Sequence, residues 1–297
     1  MVNGVIDLGY LPGTMWQLLI PSLAPSPQSL NCSTMASLDI TFLGTGTSQG
    51  IPVIGCDCTV CQSNDTRDQR TRCSLLVKAP DLHFVIDTPP DFRFQCLRER
   101  VVRLDAALMT HAHTDHVMGF DDMRRFCEME DRRMPVYASP VTMEGLRNSF
   151  RYAFDEPQPW KNYLRLAPEV ITGPFRIGET TVIPVNLPHG KVTTTGFVFD
   201  RRGRKLLAYF TDCSDVPEEA IGAAFGVDVL VLDALRESPH PTHMNFTQAL
   251  DASRRIAPRK TYLTHLCHEV SHATKVLELP ENCHLAHDGL NIITEVP

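Results

Sequence analysis

The sequence predicts an α/β (α+β) chain folded as a sandwich of two sheets with helices on the outside. Three observations carry this. Strand-like runs come first and then alternate with helical ones in each half of the chain. Several runs, Val227–Asp233 among them, are continuously apolar, as strands covered on both faces are. Their ends carry His and Asp where ordinary turn residues would serve. With 297 residues, 43% of them hydrophobic, the chain can bury a full core, and one domain is expected over 38–297.

Residues 1–37 read as a loosely ordered extension. The stretch Gly9–Pro27 is dense in proline and glycine and has no period. No Lys or Arg precedes Arg67, so the positive region of a secretory signal is missing. Residues 1–35 fit equally a translated leader upstream of the true start. Leu38–Leu43 is then the first strand, and Gly44-Thr-Gly-Thr-Ser-Gln-Gly50 a tight turn. That turn lacks the Lys-Ser/Thr of a phosphate-binding loop, and no helix follows it. Cys73–Ala79 and Leu82–Asp87 make a meander through Ala79-Pro80-Asp81. Asp91–Arg100 is helical, with Phe92, Cys96 and Leu97 as its apolar face, and Asp105–Thr110 is a buried strand. Gly119–Met129 is a helix presenting Met123, Phe126 and Cys127 on one side. Val136–Ser139 is a short strand, after which Ser139 as N-cap and Pro140 at the first position open another helix. Phe154–Pro174 is expected as a long surface connection. Thr181–Leu187, Thr194–Asp200 and Lys205–Thr211 are strands, the last two joined by the turn Arg201-Arg-Gly-Arg204. Pro217–Phe225 and Phe246–Ile256 are helical, while Val227–Asp233, Lys260–Thr264 and Asn291–Val296 are strands.

A net charge of −7 argues against a protein that grips long nucleic acid. No run of about 18 apolar residues occurs, so no membrane span is expected. The basic groups Arg124-Arg125, Arg132-Arg133 and Arg201–Lys205 read as solvated turns and helix faces, with a second phosphate site as the alternative. Three of the ten cysteines are packed into Cys56-Asp57-Cys58-Thr59-Val60-Cys61. That pattern suits a reduced, cytoplasmic, metal-using protein rather than a disulfide framework. A homodimer is left open.

The stretch His111-Ala112-His113-Thr114-Asp115-His116 leaves the end of the buried strand. Imidazole nitrogen and carboxylate oxygen are the ligand set that suits zinc, manganese or iron. A turn there lets His111 and His113 converge on one cation while Asp115 and His116 face a second. The stretch resembles the signature of the metallo-β-lactamase superfamily, whose fold is a four-layer αββα sandwich with a dinuclear site at the sheet edge. The resemblance implies three later ligands at strand ends, a His, an Asp and a His; His189, Asp212 and His265 stand in that order. It places His111, His113 and His189 on one metal, Asp115, His116 and His265 on the other, and Asp212 between them. Asp115 and Asp212 then count as catalytic as well as ligating. Two such cations, zinc or manganese, would polarise a phosphoryl oxygen and acidify water between them. Asp87 either orients one of the histidines or caps a turn.

Cys56-x-Cys58-x2-Cys61 offers three thiolates at a spacing suited to tetrahedral zinc. With the preceding Gly-Thr-Gly-Thr-x-Gln-Gly-x-Pro, it resembles the family of the phosphoribosyl 1,2-cyclic phosphate phosphodiesterase of the carbon–phosphorus lyase pathway, over about residues 38–290. The resemblance implies His268 as fourth ligand of a structural zinc, with Cys267 as a competitor. It also implies a catalytic His that protonates a leaving oxygen, matched by His243 with His240 as its rival. His287 matches no ligand of that family and reads as a rim residue. Pro89-Pro90 stands where a glycine is expected after Asp87. The expected activity is hydrolysis of a small phosphodiester, a ribose or nucleotide cyclic phosphate. A tRNA 3′-processing endonuclease of the ribonuclease Z type is the alternative, but no tRNA arm fits between His189 and Asp212. A zinc-stabilised, non-catalytic interaction module would be expected to have lost at least one ligand, and none is lost.

Overall fold

Alternation along the strands decides the layers. The computed structural model describes residues 37–155 and 162–294; the expected N-terminal extension lies outside them. The first half contains β1 (Asp39–Gly44), β2 (Ser74–Lys78), β3 (His83–Ile86), α1 (Phe92–Arg98), β4 (Ala106–Met109), α2 (Thr114–Val117), α3 (Arg124–Met129), β5 (Met134–Ala138), α4 (Pro140–Ser149), α5 (Arg151–Phe154) and β6 (Leu166–Val170). The second contains β7 (Phe175–Ile177), β8 (Thr180–His189), β9 (Val192–Arg201), β10 (Arg204–Phe210), α6 (Glu218–Ala224), β11 (Val229–Asp233), α7 (Phe246–Ile256), β12 (Lys260–Thr264), α8 (His272–Lys275), β13 (Cys283–Leu285) and β14 (Asn291–Ile293). They pair as two seven-stranded sheets, β14-β1-β2-β3-β4-β5-β6 and β13-β12-β11-β10-β9-β8-β7.

Successive side chains of a strand point to opposite faces. Phe42, Phe84, Phe197, Phe199, Tyr209 and Val231 therefore meet between the sheets. Their neighbours Leu43, Val85 and Met109 turn outward onto Phe92, Phe126, Met143 and Leu146 of the helices. On the other sheet Ala208, Phe210, Leu230 and Leu232 pack on Ile221, Phe246 and Ala249. The result is the αββα sandwich, and strands covered on both faces explain the continuous apolar runs. Each fully buried phenylalanine contributes roughly 1.5–3 kcal/mol by leaving water. The pairs β3–β4 and β4–β5, and likewise β10–β11 and β11–β12, are parallel, so these strands deliver their C-terminal residues to common edges.

Local signals explain the helix starts. The Ser139 hydroxyl accepts from the Thr142 N–H at 3.3 Å, with Pro140 at the first position. Asn245 and Gln248 close a reciprocal capping box on α7.

The structure departs from the sequence reading in several places. Part of the expected surface connection, Leu166–Val170, is a strand paired in parallel with β5 at the sheet edge. Only Leu166 of it is buried, and Pro168 sits where an edge strand tolerates it, so no apolar alternation marks it. Phe175–Ile177 and Cys283–Leu285 are further short strands that were not expected. The helix expected over Gly119–Met129 starts as a 3-10 turn, Phe120–Met123, before α3. On α1 the buried partner of Phe92 is Gln95, while Leu97 is 60% exposed. The Gln95 amide donates to the Thr71 hydroxyl and the Arg72 carbonyl, which places a polar residue inward. Arg201 belongs to no solvated turn. It is 1% exposed and paired with Asp81 at 2.7 Å.

Helix α4 touches the histidine stretch through Gly145. A Cβ built there would lie 2.5 Å from the Ala112 Cβ. Gly145→Val should therefore cost about 1–3 kcal/mol by overpacking and displace the His111–His113 backbone. Gly222→Ala, with nothing within 4 Å, should be neutral or stabilising. Thermal melts of both variants check this, and equal behaviour would refute the contact.

Candidate metal centre

Three strand ends bring the acidic and imidazole side chains together. Asp87, Asp212 and His265 follow β3, β10 and β12, each in the left-handed region at φ 62°, 54° and 59°. That conformation is tolerated by Asp and His better than by bulky residues, and it turns the chain sharply at the sheet edge. His113 caps the one-turn helix α2, which carries Asp115 and His116. The imidazoles of His111, His113 and His189 form one group of candidate ligands, and Asp115, His116, Asp212 and His265 another.

Asp212 is 2% exposed and stands between the groups. Its Oδ1 lies 3.2 Å from His116 Nε2. Its Oδ2 lies 3.4 Å from His265 Nε2 and 3.9 Å from the Nε2 atoms of His111 and His189. Burial alone would raise its pKa, but His116, His265 and His111 hold it well below the usual carboxylate range.

Hydrogen bonds on the outer nitrogens decide what the inner ones offer. His116 Nδ1 donates to Asp87 Oδ2 at 2.8 Å. The Thr110 hydroxyl gives its single proton to Asp87 Oδ2 at 2.7 Å, so it accepts from His111 Nδ1 at 3.0 Å. His189 Nδ1 donates to the Thr242 carbonyl at 2.9 Å. Each ring therefore turns an Nε2 lone pair inward, as second-shell partners of metal-ligating histidines arrange. Asp87 thus orients two histidines, one of them through Thr110. The Nε2 atoms of His111 and His116, and both ring nitrogens of His265, are buried without a hydrogen bond. Burial drives His111, His113 and His265 below the usual histidine range, toward the neutral ligand form. At His116 burial works the same way, but Asp212 and Asp87 outweigh it and hold its pKa well above the usual histidine range. Orphaned lone pairs around a cation-seeking carboxylate fit divalent metal.

His243 sits beside this cluster. Its Nδ1 donates to Asp233 Oδ2 at 2.7 Å, and its ring stacks on His265 at 4.5 Å and 15°. Burial opposes its charge, but Asp233 prevails and lifts its pKa to about 9. Asp233, fully buried at the end of β11, was missed by sequence reasoning; its signal was a strand-end carboxylate shortly before His243. Thr110 and Thr242 were missed too, because hydroxyl and backbone partners carry no motif. Thr88 explains the Pro89-Pro90 loop: its N–H donates to the His116 carbonyl at 2.8 Å, and its carbonyl accepts from Gly119 at 2.9 Å.

Apart from this edge cluster, Cys56, Cys58, Cys61 and His268 form a separate group. His268 Nδ1 lies 3.2, 3.7 and 3.8 Å from the three sulfurs. Cys267 is not part of this group; its sulfur accepts from the Glu269 N–H at 3.4 Å. The Cys61 N–H draws the Cys58 thiol down to about 6, while burial pushes Cys61 up to about 11. His287 stays outside both groups, its Nδ1 on the Asp288 carbonyl at 3.1 Å. The basic groups hold protein partners, including Arg124 with Asp121, Arg125 with Glu128, Arg132 with Glu130 and Arg204 with Asp228.

Back-to-back sheets with histidines and aspartates gathered at one edge define a metal-dependent hydrolase. The β-lactamase superfamily domain matches residues 83–266. The crystal structure of a diphosphatase from the PhnP family superposes with a TM-score of 0.80 at 36% identity, covering 88% of this chain and 98% of that one. The chain belongs to the β-lactamase superfamily and, within it, to the PhnP family. A curated relative, an octanoyltransferase of Porphyromonas gingivalis, is 36% identical over 258 residues. The match takes in 86% of this chain and 51% of that protein, so the chain spans about half the length of its curated relative. Human short-form tRNase Z shares the fold, with a TM-score of 0.64 at 16% identity over 87% of this chain and 99% of that one. No helix among the described residues is long and apolar enough to cross a membrane.

Two tests follow. Purified protein should carry about three metal ions per chain by elemental analysis, one of them resisting mild chelation because four protein ligands close it off from water. Retained hydrolysis after complete removal of the labile pair would contradict a catalytic cluster. Separately, Cys58→Ser should lower the melting temperature more than turnover, since a closed zinc contributes folding energy. A variant that melts normally and keeps three metals would rule out the structural site.

Proposed function

We propose that this chain hydrolyses a small phosphodiester, a ribose or nucleotide cyclic phosphate, with His243 as the proton donor. The observation that carries this is the Asp233–His243 pair. His243 Nδ1 is committed to a buried carboxylate, and its ring stacks on that of His265. Its Nε2 is therefore left to deliver a proton, and the raised pKa keeps that proton in place near neutrality. An alkoxide leaving group needs such a donor.

His111, His113 and His189 would hold one divalent cation and Asp115, His116 and His265 the other, with Asp212 shared. When bound, such a pair supplies charge stabilisation at the phosphoryl oxygens and a nucleophile from water near neutral pH. The chain's own part is orientation. Asp87, Thr110 and Thr242 keep the inner nitrogens aimed, and Asp212 balances the charge.

The connection between His189 and Asp212 supports a small substrate. The β8–β9 turn is Gly190-Lys191, and the β9–β10 turn is Arg202-Gly203. No arm is inserted there to grip tRNA, and the charge of −7 favours a compact substrate over a long polyanion. The octanoyl transfer named for the curated relative belongs to a longer protein, of which the match takes in only 51%. Here Cys73 and Cys213 are fully buried and held well above the usual thiol range, so neither is a ready acyl acceptor. The PhnP-family diphosphatase favours a second reading, a small diphosphate.

Hydrolysis of bis(p-nitrophenyl) phosphate and of a ribose cyclic phosphate is expected. His243→Ala should slow the cyclic ester about 10²–10⁴-fold and the aryl ester far less, because p-nitrophenolate leaves without a proton. Cleavage of a small diphosphate with no action on cyclic esters would transfer the assignment to the second reading. Cleavage of precursor tRNA alone would restore the endonuclease.

A further inference from the structure

The segment between β11 and α7 carries another imidazole, His240, to which the proposed function gives no role. Its backbone is tightly held. Pro239 and Pro241 flank it, and a residue before proline is confined to extended conformations. The Arg236 guanidinium braces the loop, donating to the carbonyls of Ser238 and Pro239 at 3.4 and 3.3 Å and to Glu269 at 3.2 Å. At the base, the Leu235 N–H donates to the Met244 carbonyl at 2.9 Å, and the Phe246 N–H to the Arg236 carbonyl at 3.1 Å.

Thr242 decides the tautomer of this ring. Its N–H points at His240 Nδ1 from 3.4 Å, and its hydroxyl lies 3.2 Å from the same nitrogen. A backbone N–H can only donate, so Nδ1 holds the lone pair and Nε2 the proton. The Thr242 carbonyl meanwhile takes the Nδ1 proton of His189. One threonine therefore sets two imidazoles oppositely: His189 offers a lone pair at Nε2, His240 a proton. A metal ligand needs the first arrangement, and a substrate oxygen needs the second. The His240 ring lies 5.2 Å from that of His243 and is the more exposed of the two. Burial and the charge on His243 hold it below the usual histidine range, so it is a neutral donor near pH 7.

We propose that the His240 Nε2–H binds an oxygen on the leaving portion of the substrate, beyond the phosphorus that is attacked, and so determines specificity. The proposal rests on His243 serving the leaving oxygen, since His240 is its outward neighbour. A sugar hydroxyl or phosphate supplies the matching acceptor.

The test uses the full, metal-loaded chain with bis(p-nitrophenyl) phosphate as reporter, and with ribose 5-phosphate and inorganic phosphate as competitive inhibitors. His240→Ala should weaken inhibition by ribose 5-phosphate about tenfold, the loss of one hydrogen bond. Inhibition by inorganic phosphate, aryl ester turnover and metal content should not change. His240→Gln, which keeps an amide donor, should recover most of the loss. Equal weakening of both inhibitors, no weakening of either, no inhibition of the wild type by ribose 5-phosphate, or loss of metal from His240→Ala would overturn it. A wild type inactive on ribose cyclic phosphates would refute the proposed substrate and leave this comparison standing, because reporter and inhibitors do not depend on it.

Discussion

A buried carboxylate governs the cluster at the sheet edge. Asp212 is almost fully enclosed, and an unpaired charge in that setting costs several kcal/mol. Four imidazole Nε2 atoms within 3.2 to 3.9 Å surround it. Imidazoles can swing, so the arrangement holds only if their outer nitrogens are tied. Asp87, Thr110 and the Thr242 carbonyl provide those ties for His116, His111 and His189. The same ties fix tautomers, which turns a charge-balancing necessity into a set of lone pairs suited to cations.

Sheet topology makes this possible. The parallel strands β10, β11 and β12 end side by side and present Asp212, Asp233 and His265 from one sheet. The parallel strands β3 and β4 present Asp87 and Thr110 from the other. The Thr195 N–H, on β9, reaches across to the Thr110 carbonyl at 2.9 Å and pins the two edges together. Three left-handed residues at these ends each store roughly 1–3 kcal/mol, offset by the packed sheets beneath.

The loop after β12 is held from a second side. Arg70 and Asp68 form a buried pair at 2.9 Å. Arg70 also donates to the carbonyls of Cys267 and Val270, and Asp68 accepts the His272 N–H. His265 and His268 sit within this clamp, facing the edge cluster and the three cysteines respectively. A short loop that answers to both groups cannot move for one without disturbing the other.

Chemistry concentrated in few residue types was legible without coordinates. The layered fold followed from runs that alternate or stay apolar, because burial on one face or two imposes those periods. The order of His and Asp at strand ends, and the cysteine spacing, marked the residues the structure gathers into two groups. Edge strands such as β6 escaped notice because one exposed face removes the pattern. The fate of Arg201 escaped because a buried guanidinium looks like any other arginine until Asp81 is folded against it. Asp233, Thr110 and Thr242 could be valued only in three dimensions, since a hydrogen bond to a ring nitrogen depends on distance and leaves no periodic trace. Sequence by itself determined which side chains are available and which faces must be buried. Only the tertiary structure decided which nitrogen of His116 and of His189 carries its proton, because that is set by partners remote along the chain: Asp87 for His116, Thr242 for His189.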